Sequence, residues 1–542
     1  MAFDLLANWQ LIFAVFPGLV LFLYGIEQFS AEIQRVAGEK FREALGRMTS
    51  NRVKGAVLGG IVTAVIQSST ATTVIVVGLV NAGTISFMQS LGIIFGANVG
   101  TTVTAQLVAF KLTAFAPVFI VLGFLVGLIG GKYKFLGRPI FYFGLVFFSL
   151  NLISDAMIPI KSDPYVKSMF ASLDSVLVGI VAGFLFTTIV QSSSVTSGII
   201  VILSQENMIT LGQGIPLLLG AAIGTTTTAL IASSKMSLHA KRAAYAHLLF
   251  NVFGVILILP FLDPFQGLVE AVGGSPGQQV ANALTVFRSI SLVIFLIALK
   301  PFKMLVEKVV PGAEEEILFN TRHLTEKLPK DNHESFKMIE GELGYCLEIT
   351  DKLYDESILL LNSKKAGDYQ KIVKMESLTD FLDEKIEASI LELSNRRLDP
   401  VEAKRTVLLV RISNALEQFS DKGEDISASV KSMQETGSWL TPESLKDLET
   451  VYVKFNDNIR ILRKSFPSIT KKQSQEMVKN DEKLRTLINS FYDSHLKRLR
   501  EKHEDGMFVE ILSLIEAANS KTREIRKLAE LYRDSSESRR SR

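Results

Sequence analysis

The sequence predicts an all-α, polytopic membrane protein built from two inverted repeats, each with a re-entrant hairpin, followed by a helical-bundle domain outside the bilayer. Three observations carry this. Apolar runs of roughly 18 to 25 residues follow one another from Leu11 to about Phe302, each long enough to cross a hydrocarbon core of about 30 Å. Two of these runs are broken at their centres by nearly the same polar phrase, "VIQSSTATTVIVV" at residues 65–77 and "IVQSSSVTSGIIV" at residues 189–201. From about Glu307 onward the chain is charged and helix-friendly, with no comparable run.

Taken in order, the apolar segments fall at about residues 11–29, 53–82, 87–110, 113–131, 136–158, 173–203, 207–234, 240–262 and 279–300. The first is long, has no basic residue before it and lacks a small-residue cleavage site, so it reads as a retained membrane helix. Segments 53–82 and 173–203 keep only about 12 to 15 apolar residues on either side of their breaks, which suits a hairpin that enters and leaves one face of the bilayer. Lys and Arg gather in three loops: at 35–54, at Lys132, Lys134 and Arg138, and at Lys241 and Arg242. The excess of positive charge on cytoplasmic loops places all three inside, together with the C-terminal domain. Counting the broken segments as hairpins then sets the N-terminus outside and inverts the second unit relative to the first.

The net charge of +3 is small and of mixed origin, so nucleic-acid binding has no electrostatic support. A single cysteine, Cys346, excludes a disulfide framework, and its place in the charged half fits a reducing cytosolic side. No nucleotide loop, nucleophile elbow or zinc motif points to an enzyme, and hydroxyls in lipid without a base make poor nucleophiles.

The repeat is legible residue by residue at an offset of 124. Gly55, Gly59 and Thr63 match Gly179, Gly183 and Thr187, and Gln67-Ser68-Ser69-Thr70 matches Gln191-Ser192-Ser193-Ser194. The segment Gly96-Ala97-Asn98-Val99-Gly100-Thr101-Thr102 then matches Gly220-Ala221-Ala222-Ile223-Gly224-Thr225-Thr226 with no insertion. Inverted repeats with paired broken helices characterise secondary transporters, whose sites lie at the repeat interface near the bilayer midplane. A helix broken there frees N–H groups that suit an anion and carbonyls that suit a small cation. Ser and Thr add donors for an oxyanion and acceptors for sodium, and Gln a carbonyl oxygen without fixed charge. The alternative is that these hydroxyls bond back to their own helices or glue helices together.

Three further polar residues lie within apolar segments. His247 and Asn251 share a face one turn apart and can line a pathway or bridge helices. Arg288 is a cation inside an apolar run, where charge is costly and functional by default; its partner is either an anion or a backbone carbonyl.

Together the "QSST" and "QSSS" phrases, "GANVGTT", "GAAIGTTTTA" and "AHLLFNVFGVILILPF" resemble the type II sodium-dependent phosphate cotransporters, and most of all their bacterial branch with a C-terminal PhoU-like domain. The resemblance covers about residues 10–305. It implies a symporter of inorganic phosphate with sodium, in the plasma (inner) membrane. It places phosphate at Ser68, Ser69, Thr70, Ser192, Ser193, Ser194 and Asn98, and sodium at Gln67, Gln191, Thr101, Thr102, Thr225 and Thr226. This chain departs from relatives at Ala222, Leu284 and Arg288. A phosphate-responsive sensor with little turnover is the alternative that Ala222 and Arg288 raise.

The expected division is 1–160 and 161–305 for the two parts of the transport domain, 306–332 for a linker, 333–533 for the PhoU-like domain and 534–542 for a disordered basic tail. Residues 333–533 read as about six amphipathic helices forming two three-helix bundles. The PhoU-like resemblance also implies a metal site of acidic residues one turn apart on facing helices. Glu376 with Asp380 and Glu417 with Asp421 fit that spacing, for a divalent or iron-type ion. Homo-oligomers and phosphate-signalling proteins are the partners it suggests.

Overall fold

The computed structural model describes residues 9–47, 51–110, 112–129, 134–157, 170, 172–325, 327–362, 366–437, 440–502 and 507–540. Lys132 lies outside them. The described residues are 87% helical, with no strand among them. It separates into two compact units, Met1–Glu316 and Ile317–Arg542, so the division falls inside the expected linker.

The first unit contains α1 (Trp9–Arg47), α2 (Arg52–Ile66), α3 (Ser69–Asn81), α4 (Phe87–Gly100), α5 (Thr102–Ala109), α6 (Ala116–Ile129) and α7 (Gly137–Met157). It continues with α8 (Val176–Val190), α9 (Ser193–Gln205), α10 (Leu211–Gly224), α11 (Thr227–Ser233), α12 (Leu238–Ile258), α13 (Leu262–Val272), α14 (Pro276–Ile297) and α15 (Leu299–Val309). Residues 35–47, which the charge pattern assigns to a loop, extend α1 instead. The physical reason is local: Glu, Arg, Lys and Ala are good helix formers, so polarity ends the apolar run without ending the helix.

Among the described residues, five stretches are long and apolar enough to span a membrane: Phe87–Ala109, Lys134–Met157, Leu211–Ser233, Leu238–Val272 and Pro276–Ile297. The half-helices α3, α8 and α9 are apolar but only 13 to 15 residues long, and α2 has 15. At 1.5 Å per residue none of them crosses about 30 Å of hydrocarbon alone.

The glycines of the repeat set the packing. A Cβ at Gly59 would stand 2.2 Å from Ile93 O, and one at Gly96 would stand 1.8 Å from Ala56 O. The matched positions behave alike, with Gly183 2.0 Å from Leu217 O and Gly220 1.9 Å from Ile180 O. Each glycine-rich helix is thus pressed backbone to backbone against the first half of its own broken helix. Small residues that let helices approach this closely stabilise membrane packing through dispersion where no hydrophobic drive exists.

After α15 the chain runs extended and is held by the first unit. Arg242 donates to Val310 O (3.1 Å) and Gly312 O (2.9 Å). Glu314 accepts from the first helical N–H of α12, Leu238, at 2.8 Å, and Glu316 accepts from the first N–H of α4, Phe87. Two carboxylates therefore satisfy orphan donors at two helix N-termini, where negative charge is favoured.

The second unit has six long helices: α16 (Asn332–Asn362), α17 (Ala366–Ser394), α18 (Pro400–Thr436), α19 (Pro442–Arg463), α20 (Lys471–Lys502) and α21 (Met507–Arg540). Helices α16 to α18 pack as one three-helix group and α19 to α21 as another, with α18 against α21. One continuous core, including Tyr354, Phe419, Phe455, Phe508 and Tyr532, runs through both groups. The last helix continues to Arg540, into the stretch read from sequence as a disordered tail.

Candidate functional site

Both broken helices break in the same way. The N–H of Gln67 still donates to Thr63 O at 2.7 Å, but its backbone is left-handed (φ 59°, ψ 25°), which ends α2. Gln191 repeats this with φ 57°, ψ 23° and a 2.7 Å bond to Thr187 O. A left-handed residue with a Cβ costs on the order of 1 kcal/mol, so its occurrence in both copies marks a conformation that the surroundings impose. Ser68 and Ser192 follow in extended conformation as N-caps, accepting from Ala71 N (3.1 Å) and Val195 N (3.3 Å). The hydroxyls of Thr63 and Thr72 bond across the first break at 2.9 Å, and those of Thr187 and Thr196 across the second at 2.8 Å.

Each second half-helix therefore begins with N–H groups, those of Ser69 and Thr70 and of Ser193 and Ser194, that have no intrahelical acceptor. Ser69, Ser193 and Ser194 are buried, while Thr70 is half-buried. Two such N-termini form an environment that accepts negative charge.

The two breaks are joined by a residue the sequence reading did not single out. Thr104 of α5 donates to Gln67 Oε1 at 2.7 Å and lies 3.5 Å from Ser194 Oγ. Thr104 is the match of Thr228 at the 124-residue offset, and that match was the signal available in the sequence. Two residues on, Gln106 donates to Asn282 Oδ1 (3.1 Å) and Thr285 Oγ1 (2.9 Å) of α14. The arrangement is not symmetric: Gln191 is exposed, and among the described residues Thr228 makes no equivalent bond to it.

The other candidates divide into two sets. Thr101 donates to Ala97 O (3.1 Å), Thr102 to Val99 O (2.8 Å) and Thr226 to Ile223 O (2.8 Å), so these hydroxyl protons are used within their own helices and only the oxygen lone pairs remain. Asn98 also donates backward, to Ile94 O at 2.8 Å. In contrast, Asn98 Oδ1 and Thr225 Oγ1 are buried without a partner, as are both ring nitrogens of His247. Asn251 donates to His247 O at 2.8 Å and accepts from Arg288. Asn251 thus links α12 to α14 through Arg288, whereas His247 contributes only a backbone carbonyl within α12.

In the second unit, carboxylate oxygens of Glu376, Asp380 and Asp421 lie within 4.8 Å of one another, and Glu417 is not part of this group. Asp383 instead accepts from Ser413 at 2.6 Å. Burial, reinforced by the Asp380 carboxylate, pushes the Glu376 carboxyl up to about 7. Three hard oxygen donors this close fit a hard cation. The sign for stability follows. A carboxyl whose folded pKa is raised favours the folded state below its ordinary value of 4.5, and this contribution is lost as pH rises through about 7. Glu376→Gln is expected to match the parent in stability at pH 5 and to exceed it at pH 8. Solvent screening of the half-exposed group reduces the gain to about 1 kcal/mol. Thermal melts of the full chain at both pH values, with and without Mg²⁺ or Mn²⁺, check this; the ion should stabilise only the parent.

Comparison with known proteins fixes the family. The model of the Na+/Pi-cotransporter family matches residues 21–155 and 157–274, and the PhoU domain model matches residues 346–430. The chain belongs to the Na+/Pi-cotransporter family. It is 34% identical over 307 residues to "Uncharacterized protein YqeW" of Bacillus subtilis, covering 56% of this chain and 100% of that protein. It is 23% identical over 505 residues to "Putative inorganic phosphate export protein YjbB" of Escherichia coli K12, covering 92% of each. A stretch of 95 residues is 38% identical to "Sodium-dependent phosphate transport protein 2A" of sheep, covering 17% of this chain and 15% of that protein. No solved structure matches the chain significantly. This is a transporter family, and the five apolar spans agree with a membrane protein that carries a PhoU domain.

Proposed function

We propose that the first unit moves inorganic phosphate across the bilayer coupled to sodium, and that the PhoU domain regulates it. The observation that carries this is the Thr104 bond pair, which gathers Gln67 of one broken helix and Ser194 of the other around one neutral polar centre. Phosphate takes the N–H groups and hydroxyls of Ser68, Ser69, Thr70, Ser192, Ser193 and Ser194, with Asn98 at the wall. Sodium takes oxygens of Gln67, Gln191, Thr101, Thr102, Thr225 and Thr226. Neutral ligands suit a cargo whose anion and cation offset each other, because both can shed water without leaving net charge in lipid.

In this reading the breaks are tips of re-entrant hairpins in two inverted repeats within the plasma membrane, with the N-terminus outside and the PhoU domain in the cytoplasm. Gln191 is exposed and Gln67 half-buried, so the two breaks are not equally accessible. Glu376, Asp380 and Asp421 hold a divalent or iron-type ion, whose charge relieves the crowding of the three carboxylates.

Radiolabelled phosphate flux in proteoliposomes, measured inward and outward, tests the reading. Flux in both directions is expected to follow the sodium gradient and to stop when choline replaces sodium. Flux indifferent to that exchange would remove sodium coupling. Saturable phosphate binding without flux would make the protein a sensor, and the direction of net movement in cells decides between uptake and the export named for the Escherichia coli relative.

A further inference from the structure

Arg288 sits mid-way along α14, 2% exposed. Its guanidinium donates to Asn251 Oδ1, its Nε has no partner, and its remaining neighbour of note is the ring of Phe287, 5.4 Å away. No Asp or Glu is buried in the first unit among the described residues. Of the helices that pack against α14, α4, α5, α9, α10 and α12 contain neither Asp nor Glu, while Asp263 and Glu270 of α13 are exposed and Glu307 of α15 is half-buried and paired with Lys303. A buried cation is normally matched by a carboxylate, a carbonyl cage or water. Here one amide oxygen stands against a full charge.

The same face of α14 leads to the two breaks. Arg288 lies one turn beyond Thr285, and Thr285 and Asn282 hold Gln106, two residues from Thr104. We infer that Arg288 is a built-in counter-charge for the transported anion: the oxyanion that enters between the breaks supplies the negative charge missing from this interior. Arg288 thereby makes anion binding depend on charge as well as on hydrogen-bond geometry. It also offsets one unit of the anion's charge, lowering the number of sodium ions needed to neutralise the loaded site. The inference rests on the reading of the first unit as an oxyanion carrier.

The test uses the full chain in lipid nanodiscs, with inorganic phosphate in NaCl as the probe and Arg288→Gln and Arg288→Lys as variants. Without phosphate, Arg288→Gln is expected to melt at or above the parent, because it removes an uncompensated charge. Its phosphate affinity is expected to fall roughly tenfold, the factor for one unit charge acting at partial screening, while Arg288→Lys retains most of the affinity. A phosphate-free Arg288→Gln that melts lower than the parent or fails to fold would give Arg288 a structural role and overturn the inference, as would unchanged phosphate affinity. A parent that binds sulfate but not phosphate, with the same loss in Arg288→Gln, would retire phosphate as the cargo and keep the counter-charge. A parent that binds neither anion would end both.

Discussion

Thr104→Val is expected to slow sodium-driven phosphate flux about thirtyfold relative to the parent. Valine has the shape of threonine, so the buried packing around α5 survives while both hydroxyl contacts, to Gln67 Oε1 and Ser194 Oγ, are lost. Each such bond is worth about 1 kcal/mol net, and about 1.4 kcal/mol corresponds to tenfold. The loss is expected in flux at subsaturating phosphate, measured in proteoliposomes at matched protein content. Thr104→Ser, which keeps the hydroxyl, should recover most of it. Equal rates for parent and Thr104→Val would take Thr104 out of the site.

The second large effect concerns packing. Gly96→Ala would set a methyl carbon 1.8 Å from Ala56 O, a distance no rotamer relieves because the Cβ position is fixed by its own helix backbone and the oxygen belongs to another. Helices α2 and α4 must separate, and the expected destabilisation is on the order of 3 kcal/mol or more. Gly220→Ala should behave alike, since its methyl would meet Ile180 O at 1.9 Å. Gly78→Ala is the control: nothing lies within 4 Å of the added carbon, and helix propensity alone predicts a gain of about 0.5 to 1 kcal/mol. Thermal denaturation followed by size-exclusion recovery separates these outcomes. A Gly96→Ala chain as stable as Gly78→Ala would contradict the close backbone approach.

The close contacts of the glycine-rich segments bind α4 to α2 and α10 to α8, within each copy. Several of their threonines spend their protons on their own carbonyls, the alternative open from the outset for hydroxyls in apolar helices. The acidic set of the PhoU domain shows a similar limit. Spacing one turn apart makes Glu417 and Asp421 equivalent, yet only Asp421 reaches Glu376 and Asp380.

The helical class and the two breaks with their equivalence were legible in the sequence, because each depends on the order and period of residues along one chain. Run length fixes what can span a bilayer, and a constant offset of 124 carries the same φ and ψ from Gln67 to Gln191. Only the tertiary structure decided that Thr104 meets both breaks, that Gln191 is left exposed, and that Arg288 faces an interior without an acid. Comparing each repeat with its copy shows what the halves share. The bonds that join one half to the other are set by the packing of α5 on α9 and α14, which no internal alignment records.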